Sequence, residues 1–207
     1  MSPISLIEIE RNNMKSNHKL YANENGNSLV VVFPGGGNSC DRPLLQYLRS
    51  YFLNENFDVL CASYRNLFRS EETSDEIMDS IADGVNNAIN EVSKGKDYKD
   101  IIFISRSAGN LASSKLRVKH SINVKKSIYI SPTVDAIEYI NEYPGIVVTA
   151  SNDTYLNNDE VIKLSNSGKS EVIVFKDGNH GLETENTLES MDFHKLAMSK
   201  IIEYYNK

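Results

Sequence analysis

Ser107, Asp153 and His180 are the residue types that could together make an activated nucleophile, and their surroundings decide whether they do. Ser107 stands at the end of Ile101–Gly109, IIFISRSAG, an apolar run that stops at Ser-Arg-Ser-Ala-Gly before the helix-compatible Asn110–Ser114. A hydroxyl at its ordinary pKa is a poor nucleophile, so such a serine needs an adjacent base and a tight turn that lifts Oγ clear of the backbone. Ser105 and Gly109, two positions before and after, are small enough to permit that turn. The pattern is S-x-S-x-G where G-x-S-x-G would be the full form, so it departs at the first glycine. Taken alone, the pentapeptide reads equally as a Ser/Gly turn between a strand and a helix.

The other two residues follow apolar runs of the same kind. Gly145–Ala150 (GIVVTA) leads into Ser151-Asn152-Asp153-Thr154-Tyr155, which places a carboxylate just beyond a strand end. Glu171–Phe175 (EVIVF) leads into Lys176-Asp177-Gly178-Asn179-His180-Gly181, which places a histidine in a glycine-flanked loop. Asp177 fits an Asp-Gly turn. His18, His120 and His194 fall in a polar loop, a helix-end region and the last helix, where surface or packing roles are expected.

The elements that must position these residues alternate regularly. Ile4–Glu10 and Lys19–Ala22, on either side of the polar Arg11–His18, read as an antiparallel leading pair. Leu29–Phe33 (LVVVF) is apolar and β-branched throughout, as a strand covered on both faces should be. It ends at Pro34-Gly35-Gly36-Gly37, after which Asp41 and Pro43 open a helix with a stripe of Leu44, Leu45, Leu48, Tyr51 and Phe52. Asp58–Ala62 is the next strand. Thr73 and Glu76 have capping-box spacing ahead of a helical period from Ile77 to Val92 that closes at Gly95. Ser127–Ile130 is a further strand, short helical patterns occupy Val134–Asn141 and Asp159–Ser165, and a last helix runs from about Thr187 to Tyr205 with Leu188, Met191, Met198, Ile202 and Tyr205 facing inward. Alternation of this kind implies an α/β fold: a mostly parallel sheet with helices on both faces and ligands at the carboxyl ends of the strands. No linker, repeat or low-complexity stretch divides residues 1–207, so one domain is expected.

With Ser107, Asp153 and His180 in that chain order, each at the end of a different strand, the sequence resembles the α/β-hydrolase superfamily, in which nucleophile, acid and base follow one another in this way. The resemblance extends from Leu29 to the final helix. It implies that His180 takes the Ser107 proton and that Asp153 orients the imidazole. It also implies an oxyanion hole built from the backbone of Ala108 and of Gly36, with Gly37 as the alternative donor and Pro34 standing where many members carry histidine. Asp135, after the strand ending at Ile130, is a rival acid because some members place it there; Asp153 is preferred because its loop lies immediately upstream of the histidine strand. Arg106, together with Asp177–Glu183 (DGNHGLE), resembles the small lidless dienelactone-hydrolase-like proteins. An ion pair with a neighbouring carboxylate is the expected role for Arg106, ahead of contact with an acidic substrate. Between Ser131 and Pro144 there is room for one crossover helix and no lid domain, which favours small or protruding acyl groups.

Composition removes other classes. The net charge is −6, and no concentrated Lys/Arg surface is visible to meet nucleic-acid phosphates. Lys94, Lys96, Lys99, Lys125 and Lys126 read as solvated surface. No apolar run approaches membrane-spanning length and no secretory leader is visible, so a cytoplasmic protein is expected. Cys40 and Cys61 do not form a C-x-x-C pair and read as reduced, buried thiols. Gly35–Gly37 fails as a dinucleotide fingerprint at Cys40, with Asp58 beginning a strand where an acid should end one. There is no phosphate loop and no H-E-x-x-H, so neither metal nor organic cofactor is expected. The expectation is a serine hydrolase acting on carboxylic esters or thioesters through a Ser107 acyl-enzyme, with amide cleavage as a close variant. A non-catalytic binding or scaffold protein of the same fold is the alternative, and the sequence leaves substrate identity and oligomeric state open.

Overall fold

The computed structural model describes residues 3–11 and 13–207. Among these, the apolar runs form one sheet of eight strands: β1 (Ile4–Arg11), β2 (Met14–Tyr21), β3 (Ser28–Phe33), β4 (Asp58–Cys61), β5 (Asp100–Arg106), β6 (Lys126–Ile130), β7 (Ile146–Ala150) and β8 (Glu171–Phe175). Their order across the sheet is β1-β2-β4-β3-β5-β6-β7-β8. The β1/β2 and β2/β4 pairings are antiparallel and the remainder parallel. The helices are α1 (Pro43–Asn54), α2 (Ser74–Val92), α3 (Ala108–His120), α4 (Ile137–Glu142), α5 (Asn158–Ser167) and α6 (Thr187–Tyr205).

β3 shows why its run carries no polar alternation. All six of its residues are buried. Val30 and Val32 pack in the layer with Leu44, Leu48 and Phe52 of α1 and Ile201 of α6. Leu29, Val31 and Phe33 pack in the opposite layer with Ile81, Val85 and Ile89 of α2 and Leu116 of α3. A strand with helices on both faces must be apolar at every position. The connection after β3 leads outward to β4, and β5 then returns to the other side of β3. This reversal puts the loops after β3 and β5 side by side at the carboxyl edge, where an open α/β sheet offers a binding crevice.

Several local expectations change. The leading hairpin is tighter than its hydrophobicity suggests: Ile9 is register partner of Ser16 and Ile7 of His18, so the polar stretch before Lys19 is already strand. The inner face of β2 carries Ser16, His18 and Leu20, all buried, and two polar residues there mask the alternation. Asp41 does not cap α1; Arg42 holds the N-cap position without a side-chain bond, and Asp41 instead accepts from Arg49 at 2.9 Å. The pattern at Val134–Asn141 divides into a 3-10 turn at Val134–Ala136 followed by α4. α6 turns Ser190, Ala197 and Ile201 to the core, leaving Leu188 and Met191 exposed at 72% and 62%. Its inward face combines the small Ser190 and Ala197 with Ile201, and Met198 and Tyr205, two of the residues expected to face inward, pack half-buried against the same core. Lys96, expected on the solvated surface, donates at 2.6 Å to the fully buried Asp58. Asp58 also accepts from Tyr98 Oη and the Asn23 amide, both at 2.7 Å, and is thereby fixed at the start of β4. Cys40 and Cys61 are buried free thiols. Among the described residues no helix is long and apolar enough to cross a membrane.

Candidate active site at the carboxyl edge of the sheet

Ser107 occupies the single residue between β5 and α3, at φ 52° and ψ −127°. This is a sparsely populated conformation for a residue with a β-carbon and costs about 1–3 kcal/mol. The surrounding hydrogen bonds hold it. The Ser107 amide donates to the Ile130 carbonyl at 3.0 Å. Asn110, wholly buried on the first turn of α3, donates through Nδ2 to the carbonyls of Ser107 (2.9 Å) and Ile130 (3.0 Å). Ser105, where the full motif has glycine, turns its hydroxyl away from the apex, 2.9 Å from Asn110 Oδ1 and 3.2 Å from the Ile128 carbonyl. The substitution is accommodated because that side chain becomes part of the bracing.

The loops after β7 and β8 are tied together before they reach the serine. After β7, the Asn152 amide donates to the Gly178 carbonyl at 2.9 Å. After β8, the Asp177 amide donates to Ser151 Oγ at 2.8 Å. Asp177 itself sits at φ 62°, consistent with the turn expected of it. The Asp153 side chain is fully buried, and its Oδ1 accepts from the Tyr155 amide at 2.9 Å. The two carboxylate oxygens lie 2.9 and 2.8 Å from His180 Nδ1. On the opposite side of the ring, His180 Nε2 lies 2.8 Å from Ser107 Oγ. A buried carboxylate on Nδ1 favours the tautomer with Nδ1–H, leaving Nε2 as acceptor for the serine proton. The exposed Tyr155 ring lies 4.5 Å, centroid to centroid, from the imidazole. Asp135 is exposed on the 3-10 turn, so the acid found against His180 is Asp153.

The glycine loop closes the third side. The Asn38 amide donates to the Gly35 carbonyl at 2.8 Å, making a turn with Gly36 and Gly37 at its centre. The turn is anchored by Tyr64, whose hydroxyl donates to the Pro34 carbonyl at 2.9 Å and whose amide donates to Asn38 Oδ1 at 2.7 Å. A β-carbon on Gly35 would lie 3.1 Å from that of Ser107, so the loop packs directly on the serine. Ala108 is the first residue of α3, where amides lack an intrahelical acceptor and the helix dipole presents its positive end.

Arg106 forms no ion pair within 4.0 Å among the described residues, contrary to expectation; its Nη2 donates to the His180 carbonyl at 3.3 Å. Burial, reinforced by the charge of Arg42, pushes its pKa below the usual guanidinium value. The contact places Arg106 as a brace for the histidine loop. His194 acts on the same loop from α6, with Nε2 3.2 Å from the Gly181 carbonyl. His120 lies 3.0 Å from Asp83 at the far end of α3. His18 is buried against the Ser63 amide at 3.1 Å. The residues that sequence reasoning passed over, Asn110 and Tyr64, are ordinary helix and loop positions, and no spacing marks them.

No family model matches the sequence, and no curated protein matches it. Similar solved structures cover nearly the whole chain. An esterase from Pyrococcus furiosus has a TM-score of 0.76 at 15% identity, covering 99% of this chain and 92% of its own. An α/β serine hydrolase without a lid from Xanthomonas campestris gives 0.70 at 10% identity, with 97% and 94% covered. Dienelactone hydrolase from Anabaena variabilis gives 0.66 at 12% identity, with 98% of both chains covered. Together with the eight-stranded, mostly parallel sheet and its strand order, these likenesses establish that the chain has the α/β-hydrolase fold in a minimal form.

Proposed function

We propose that the protein is a serine hydrolase that cleaves carboxylic esters or thioesters of small or exposed acyl groups through an acyl-enzyme on Ser107. The observation that carries the reading is the continuous line from Asp153 through His180 to Ser107, with polar contacts of 2.8 to 2.9 Å at each step. The esterase and hydrolase names of the similar structures support the same class of chemistry.

In this reading His180 Nε2 accepts the hydroxyl proton as Ser107 Oγ bonds to the substrate carbonyl carbon. Buried Asp153 stabilises the imidazolium that forms. The oxyanion receives the amides of Ala108 and Gly36. Gly36 is preferred over Gly37 because it follows Gly35, which packs against Ser107, whereas Gly37 faces the cavity on the far side of the glycine loop. Collapse of the tetrahedral intermediate expels the alcohol or thiol, which takes the proton from His180. A water molecule then gives its proton to His180 and attacks the acyl carbon, releasing the acid and restoring the serine.

The test is reaction with a fluorophosphonate probe, followed by mass-spectrometric mapping of the adduct. Labelling at Ser107 that is absent in Ser107→Ala and His180→Ala is expected. A folded wild-type protein that remains unlabelled would instead point to the non-catalytic binding reading.

A further inference from the structure

A cavity of about 590 Å³ opens beside the glycine loop, lined by Lys15, Lys19, Arg49 and Arg65 with Asp41 as the carboxylate among them. This concentration of positive charge is notable in a chain of net charge −6. The four cations arrive from separate segments. Lys15 and Lys19 come from the outward-facing positions of β2, Arg49 from α1, and Arg65 from the loop after β4.

Their pairing leaves an excess. Lys15 is matched by Glu8 at 2.8 Å. Asp41 is shared between Arg49 at 2.9 Å and Lys19 at 3.8 Å. Among the described residues Arg65 has no carboxylate within 4.0 Å. The group therefore holds two cations beyond its two carboxylates, the complement of a phosphate dianion. Arg49 is also preorganised: its side chain is 11% exposed and its guanidinium lies 4.7 Å from the Tyr21 ring centroid. A planar fork held in this way binds a phosphate oxygen pair at little conformational cost.

The position of the cavity connects it to the candidate active site. Gly37 and Asn38 form part of its wall, and Gly35, two residues before Gly37, packs on Ser107. Two residues span at most about 7 Å, so the Gly37 wall of the cavity begins within that reach of the residue that packs on Ser107.

We infer that this cavity is a phosphate-binding subsite, and that the substrate is an ester or thioester carrying a phosphate group on its leaving side. The inference rests on the hydrolase reading for its link to turnover. Ser107 takes the acyl group and the phosphorylated alcohol or thiol departs with the proton from His180; the phosphate itself is not transferred.

The experiment compares kcat/KM for 3-acetoxypropyl phosphate, propyl acetate and 4-acetoxybutanoate, which carries a carboxylate on the same leaving side, and measures binding of inorganic phosphate by calorimetry. Wild type, Arg65→Glu and Lys19→Glu are used, each checked for folding by circular dichroism. The phosphorylated ester is expected to exceed propyl acetate by about tenfold or more, and charge reversal is expected to lower that ratio about tenfold. Equal turnover of these two esters, a ratio unchanged in both variants, or a preference for the carboxylate ester over the phosphate ester overturns the phosphate assignment. If none of the esters is cleaved, the hydrolase reading fails and calorimetry alone decides the subsite. Phosphate binding that is weakened by charge reversal sustains it, and absence of binding to wild type overturns it.

Discussion

Gly109 faces the end of β3 so closely that a β-carbon there would collide with the Pro34 carbonyl oxygen and stand 2.6 Å from that of Phe33. The first turn of α3 and the glycine loop are thus in backbone contact, which fixes the Ala108 amide relative to Gly36. Gly109→Ala should move or break this contact. The opposing atoms are backbone and cannot turn aside, so a loss of about 1–3 kcal/mol in stability is expected, measured as a lowered denaturation midpoint together with lost activity.

Gly35→Ala separates activity from stability. The added methyl would lie 3.1 Å from Ser107 Cβ, requiring a shift of a few tenths of an ångström. We expect a small change in melting temperature and a fall in kcat of about tenfold or more, because in the proposed mechanism a misplaced donor loses its differential contact with the oxyanion.

Asp153→Asn should lower kcat by about 10⁴ while leaving a folded protein. The amide would favour the wrong imidazole tautomer across the contacts to Nδ1. Steady-state kinetics and the rate of fluorophosphonate labelling should fall together.

Asn110→Leu tests the brace beneath the serine. The substitution removes both Nδ2 contacts, to the Ser107 and Ile130 carbonyls, and the partner of Ser105 Oγ. A buried polar group left without its partner costs about 1–3 kcal/mol. Denaturant unfolding should register that loss, with reduced turnover because the positive-φ conformation at Ser107 is no longer tied down.

His18 gives the protein an acid-sensitive core. Burial lowers its pKa from 6.5 to about 4, so the unfolded chain binds a proton that the folded chain excludes. Its contribution is fully present above the unfolded pKa of about 6.5 and is lost as pH falls towards 4, in total about 3 kcal/mol. His18→Asn retains an acceptor for the Ser63 amide and should remove this component. Subtracting the two stability-against-pH curves would isolate it.

The residues legible in the sequence were those that a strand end exposes. Ser107, Asp153 and His180 each follow a recognisable apolar run, so their convergence could be anticipated from the alternation of elements. The thoroughly apolar β3 likewise announced a covered strand. Asn110 was not legible because its importance lies in three simultaneous contacts across β5, β6 and α3, and the basic cavity was not because its cations are scattered from residue 15 to residue 65. The face of α6 misled because Leu188 and Met191 fit a helical period that the packing does not use. In β2, Ser16 and His18 occupy inward positions that an apolar pattern would have marked.

β8, whose loop carries His180, is the last strand of the sheet and is hydrogen-bonded on one side only. Apart from Phe175 its residues are half-buried or exposed, in contrast to the fully covered β3. Edge elements open at lower free energy than the centre of a sheet. On warming, His180 is expected to part from Ser107 while the central strands stay paired, so in the hydrolase reading turnover would fail at the rim of the sheet, below the temperature at which the molecule melts.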